Sequence, residues 1–226
     1  MSERVTIDIW SDVMCPWCLV GWGQLSRALE ALEGEIDAEI RWRPFELNPD
    51  MPEEGEERTA HIARKYGRTL EQSRDVQGHM RAMAEEAGVS LDYSGGETPE
   101  PAAMMWNTFL AHKLLGWALA TAGTEAQTRL KLALFAAHFH HRRKIGEAEV
   151  LLDIAVEEGF ERPEAAAALA DEQLGQMIRM EERHAFDLNI TGVPAMVVDG
   201  KFLIPGAQGA ETYENALRRV VAKRAS

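Results

Sequence analysis

Apolar and polar residues alternate from Val5 to Trp10, with Val5, Ile7 and Ile9 on one side and Thr6 and Asp8 on the other, the period of a half-buried strand. From Pro16 the period changes. Cys18, Trp22, Leu25, Leu29 and Leu32 recur every three or four positions and trace one face of an amphipathic helix that Gly34 closes. Ala38 to Pro44 alternates again, so residues 5–44 predict a β-α-β unit. The Pro- and acid-rich stretch from Asn48 to Glu57 ends it, and between 58 and 188 the pattern predicts helices only, at 58–66, 69–87, 101–122, 125–142, 147–158, 163–170 and 172–187. Strand patterns return at 195–198 and 202–204 with Asp199-Gly200 as a hairpin turn, and a last helix is expected over 210–221. This order predicts an α/β fold in which residues 1–47 and 189–226 form one discontinuous domain, interrupted by an all-helical insertion over 48–188.

Composition narrows the function classes. The 226 residues are 46% hydrophobic and 27% charged, which suits a folded domain rather than a disordered chain. Lys and Arg number 24 against 37 Asp and Glu, a net charge of −13, which argues against nucleic acid or an anionic membrane as partner. No uninterrupted apolar run reaches the roughly 18 residues needed to span a bilayer. The first residues enter a strand pattern without a signal-peptide pattern, so a cytoplasmic location is the expectation.

The only two cysteines stand three apart in Cys15-Pro16-Trp17-Cys18, whereas a structural staple usually joins distant segments. With a strand before and a helix after, Cys15 falls at the helix N-cap and Pro16 at the first helical position, where its missing N–H costs nothing. A thiolate at Cys15 would accept from free amides of the first turn and feel the positive end of the helix dipole, so a depressed pKa is expected. Cys18 shares the stripe that packs inward, so an exposed thiol attacks and a buried one resolves. Half a zinc site or a pair of inert core thiols are the alternatives; the first finds no second CxxC, and no metal is expected. His138, His140 and His141 lack the HExxH pattern and adjoin Arg142, Arg143 and Lys144, so they are read as a polar helix end. Gly21-Trp22-Gly23 starts like a dinucleotide fingerprint but has Ser26 at the third glycine position and lies within the helix.

Gly192-Val193-Pro194 precedes the strand at 195–198. A cis bond there would free the Val193 amide and carbonyl for an extended substrate, although a proline at a strand start also simply marks an edge. Asp12, three residues before Cys15, is a candidate for proton transfer with Cys18, a solvated loop carboxylate being the alternative. Trp17 joins Val193 among the substrate-binding candidates.

Ser11-Asp12-Val13-Met14-Cys15-Pro16-Trp17-Cys18, Trp42-Arg43-Pro44-Phe45-Glu46-Leu47-Asn48-Pro49, Asn107-Thr108-Phe109-Leu110-Ala111-His112 and Thr191-Gly192-Val193-Pro194 together resemble the FrnE-like branch of the DsbA family of thiol–disulfide oxidoreductases. The resemblance implies a thioredoxin-like fold with a large helical insertion, Cys15 as nucleophile, Cys18 as resolving cysteine and Pro194 as a cis-proline facing them. It also implies that the helix carrying Asn107 and His112 lines the pocket above the dithiol. The kappa-class glutathione transferases and 2-hydroxychromene-2-carboxylate isomerases are related, carry a serine where this chain has Cys15, and use glutathione. The chain departs from its relatives at Pro205, where they more often have serine. The expected function is disulfide exchange with a protein or small thiol through a redox-active Cys15–Cys18 disulfide and no other cofactor. A glutathione-dependent transferase or isomerase is the alternative, and glutathione as co-substrate and a homodimer are left open.

Overall fold

The computed structural model describes residues 2–67 and 70–224; Met1, Thr69 at the start of one expected helix, and 225–226 at the end of the chain lie outside the described residues. Strand β1 (Glu3–Ser11) runs parallel to β2 (Ile36–Pro44) and antiparallel to β5 (Ala195–Val198), which pairs with β6 (Phe202–Pro205), giving the order β2-β1-β5-β6. Helix α1 (Pro16–Ala31) connects β1 to β2, and α8 (Ala210–Arg224) follows β6. This is the expected thioredoxin-like order, with two of the four strands drawn from the far end of the chain.

The strand period sets the two faces. Val5, Ile7 and Ile9 bury against α1 and α8 with Leu25, Leu32, Tyr213 and Leu217, while Trp10 turns to the opposite side and packs with Phe45, Ile190 and Val197. Burying each such side chain contributes about 1.5–3 kcal/mol. Helix α1 is buried more broadly than its stripe predicts, because two glycines let other segments approach it. A Cβ on Gly21 would lie 3.0 Å from Pro194 Cγ, and one on Gly23 would lie 2.6 Å from the Ala87 carbonyl. Close packing therefore explains the pair that resembles a nucleotide fingerprint.

Between β2 and β5 lie α2 (Arg58–Tyr66), α3 (Leu70–Glu86), α4 (Phe109–Phe139), α5 (Ala148–Glu157), α6 (Arg162–Ala170) and α7 (Glu172–Asp187). The insertion departs from expectation in two places. It is not all helical: β3 (Glu56–Glu57) and β4 (Met104–Met105) form a small antiparallel ribbon. The helix expected over 101–122 starts only at Phe109, since Met104 and Met105 spend their backbone groups on that ribbon. The expected break near 123 is a kink inside α4, where Gly123 adopts φ 84° and ψ −177°.

Helix α4 ties the insertion to the sheet. Gln127 closes the free edge of β2, accepting from Trp42 N–H at 2.9 Å and donating to the Trp42 carbonyl at 2.9 Å. Thr128 accepts from the Trp42 indole at 3.1 Å. One side chain thus does the work of a missing neighbouring strand.

Candidate active site

Strand β1 ends at Ser11, and the chain turns so that Cys15 caps α1 with φ −80° and ψ 113°. Cys15 N–H donates to the Asp12 carbonyl at 3.2 Å, and Cys18 N–H to the Cys15 carbonyl at 3.0 Å, which fixes both thiols on the first turn. Both are reduced and buried, Cys15 at 3% exposure and Cys18 at 1%. The picture of an exposed and a buried thiol is therefore corrected. The asymmetry is one of direction: both thiols belong to the core cluster with Leu25 and Tyr213, but Cys15 also borders a cavity of about 310 Å³ and Cys18 does not.

The segment before β5 lies opposite. The Val193–Pro194 peptide is cis, Pro194 is buried, and the half-buried Val193 offers its carbonyl to the Cys15 thiol at 3.7 Å. The Pro194 carbonyl accepts from Gly206 N–H at 2.8 Å, next to Pro205, which ends β6. Trp17 lines the cavity wall with its ring 6.3 Å from that of His79.

The electrostatics of the pair overturn the expected depression at Cys15. The Cys18 amide of the first turn favours the Cys15 thiolate, but it is outweighed. Hydrogen bonding with Cys18, burial and the neighbouring Cys18 charge together hold the Cys15 thiol well above the usual range. Burial pushes Cys18 up, but the Cys15 S–H, the Lys131 ammonium and the Ser11 hydroxyl together bring it below its ordinary value. The two thiols therefore titrate as one unit, with Cys15 pushed up and Cys18 drawn down.

Asp12 is wholly buried rather than a solvated loop carboxylate. Its Oδ1 accepts from Met14 N–H at 3.2 Å and its Oδ2 from Leu47 N–H at 2.8 Å, pinning the loop before Cys15 to the end of β2. Burial raises its pKa, opposed by the Leu47 amide and by Lys131.

Two resemblance-based placements fail. Asn107 precedes α4 instead of riding on it; its Oδ1 accepts from Phe109 N–H at 3.0 Å and its Nδ2 donates to the Met51 carbonyl at 3.3 Å. It organises a helix start and does not border the cavity. His112 is on α4 but buried behind the dithiol, its Nε2 3.9 Å from Asp12 Oδ1. Burial, with the Lys131 and Arg179 charges, keeps it well below the usual histidine range and so neutral. Helix α4 starts later than expected, which leaves Asn107 ahead of it, and neither residue lines the cavity.

His138 is corrected in the opposite direction. It lines the cavity, and burial together with Arg58 and Arg142 pushes it down to about 3. Sequence reasoning also missed Lys131. That side chain is fully buried, its ammonium lacks a hydrogen-bond partner, and it sits 4.8 Å from the Phe135 ring centroid and 5.2 Å from that of Trp42. Burial pushes it down to about 8. Nothing in Arg129-Leu130-Lys131-Leu132 distinguishes it from a solvated helix lysine. Among the described residues no group of three or more His, Cys, Asp or Glu side chains could hold a metal, and no helix is long and apolar enough to cross a membrane.

A dithiol on the first turn of a helix, packed on a four-stranded mixed sheet and faced by a buried proline at a strand start, defines the thioredoxin-fold class. The family model described as a DSBA-like thioredoxin domain matches residues 6–218, and the chain belongs to that family. It is 30% identical over 215 residues to the uncharacterized protein YwbO of Bacillus subtilis (strain 168), covering 94% of this chain and 96% of that one. Among solved structures it is similar to a probable DsbA oxidoreductase, SCO1869 of Streptomyces coelicolor, with a TM-score of 0.84, 30% identity and coverage of 96% and 90%. A 2-hydroxychromene-2-carboxylate isomerase shares the fold with a TM-score of 0.67 at 15% identity, over 97% and 98% of the two chains.

Proposed function

We propose that the protein is a thiol–disulfide oxidoreductase of the FrnE-like branch that works through Cys15-Pro16-Trp17-Cys18. The observation that carries this reading is the division of the buried dithiol: Cys15 borders a cavity and Cys18 does not. The reaction starts from the singly ionised pair. Cys15 passes its proton to the adjacent Cys18 sulfur, and the Cys15 thiolate attacks one sulfur of the substrate disulfide. A Cys15–substrate S–S bond forms, the substrate S–S bond breaks, and one half leaves as thiolate. Cys18 then gives its proton up toward Asp12 and attacks Cys15 Sγ; the enzyme disulfide forms and the second half departs, protonated to a thiol. The substrate gains the two electrons that the dithiol loses, and an external thiol of the glutathione type restores the dithiol. Run backward, the same steps oxidise a dithiol. Val193 would hold an extended substrate through its carbonyl and Trp17 would flank it.

The cytoplasm is the proposed location, supported by the two cysteines standing together in one CxxC motif and not stapling distant segments. A second reading, a glutathione-dependent transferase or isomerase, draws on the isomerase with the same fold. Reduction of insulin by thiol-recycled protein tests the first: Cys15→Ser should abolish it. Undiminished insulin reduction by that variant would sink the dithiol mechanism, whereas lost reduction with retained isomerisation or glutathione conjugation would favour the second reading.

A further inference from the structure

The chain carries a net charge of −13, yet among the described residues no Asp or Glu lines the cavity beside Cys15, while Arg58, Arg81 and Arg142 do, with His61 and His138. The cations are not equally neutralised. Arg142 pairs with Glu100 at 3.0 Å and also donates to the Pro101 carbonyl, Arg81 pairs with Asp92 at 3.0 Å, and His61 with Glu56 at 2.7 Å. Arg58, the first residue of α2, has no ion-pair partner among the described residues, and its buried Nε has no hydrogen-bond acceptor. The neighbouring Glu57 is engaged elsewhere, accepting from Ala60 N–H at 2.9 Å to cap α2. An unpaired buried guanidinium donor is a standing vacancy for a planar anion, and a carboxylate meets its fork with two parallel hydrogen bonds. The remaining wall, including Trp17, Met80, Met105 and Trp106, is apolar and suits an aliphatic stem, and about 310 Å³ lies at the small-molecule end of ligand sites.

We propose that this cavity selects small disulfides carrying a carboxylate, with Arg58 as the carboxylate's partner while Cys15 attacks the sulfur. Arg142, already anchored, shapes the positive end of the cavity. The proposal rests on the oxidoreductase reading and adds the chemical class of its substrate.

The test uses three small disulfides of similar size: dithiodiglycolate with two carboxylates, neutral bis(hydroxyethyl) disulfide and cationic cystamine. Pre-reduced protein is mixed with each, and the rate constant for enzyme disulfide formation is measured in a single turnover by quenched flow. Dithiodiglycolate should react at least about tenfold faster than cystamine, and Arg58→Met should lower the dithiodiglycolate-to-hydroxyethyl rate ratio about tenfold, the scale of one charge-assisted bond. Both rates come from one preparation, so partial unfolding cancels in the ratio. Should Arg58→Met not fold, Arg58→Lys, which keeps the charge but loses the fork, should lower the same ratio severalfold. A ratio unchanged in either folded variant, or equal rates for the three disulfides in the wild type, overturns the proposal. Failure of the underlying reading looks different: none of the three disulfides would then oxidise the protein at Cys15.

Discussion

Replacing Lys131 by methionine should stabilise the reduced protein while weakening its chemistry. The lysine is fully buried and lacks a hydrogen-bond partner, and burial brings it from 10.5 to about 8. That drop corresponds to roughly 3 kcal/mol for holding the ammonium in the folded state at pH 7, where it is charged in both folded and unfolded chains. Methionine removes this penalty and fills similar volume, but forfeits the contacts of the cation with Trp42 and Phe135, so about 1–3 kcal/mol of net stabilisation is expected. The pH dependence fixes the sign. Between about pH 8 and 10.5 the unfolded lysine binds more proton than the folded one, so the wild type gains stability as pH rises and the gap to Lys131→Met closes. Urea unfolding of both reduced proteins from pH 7 to 10 measures it. In parallel, the ultraviolet absorbance of thiolate, which here reports only two cysteines, should show the first ionisation moved upward, because Lys131 helps lower Cys18. A variant less stable at pH 7 whose thiol titration is unmoved would refute both halves of the reasoning.

Other outcomes follow from the same geometry. Gln127→Leu should cost about 2–4 kcal/mol in urea unfolding, since the Trp42 N–H and carbonyl lose their partners at a buried edge; a loss under about 1 kcal/mol would mean that β2 is closed otherwise. Gly23→Ala should cost about 1–3 kcal/mol, its Cβ meeting the Ala87 carbonyl at 2.6 Å, and an unchanged midpoint would refute that close approach. Iodoacetamide on the reduced protein should modify Cys15 well before Cys18, as mass mapping of a time course can show; Cys18 first would reverse the proposed roles. EDTA should leave disulfide exchange intact, and loss of activity with release of a stoichiometric metal would contradict the dithiol chemistry.

What the sequence determined by itself is whatever depends on neighbours in the chain. The alternation through Val5, Ile7 and Ile9 and the stripe through Cys18, Leu25 and Leu32 are set by the repeats of strand and helix, and these elements formed with those faces buried. The position of Cys15 before Pro16 likewise made it an N-cap whatever packs around it. Tertiary structure alone decided which groups lose water. Lys131 reads as a surface lysine until α4 lies along β2 and covers it with Trp42 and Phe135; His138 reads as a helix end until Arg58, eighty residues earlier in the chain, closes the cavity around it. Asn107 went astray for a related reason, because α4 starts only after the ribbon between Glu56–Glu57 and Met104–Met105, a pairing of distant residues too short to leave a period. The thiols follow the same division: their spacing announced the chemistry, but Cys18 is drawn below its ordinary value because groups brought from β1 and α4 surround that sulfur, and the free energy of a buried charge is set by what is near it in space.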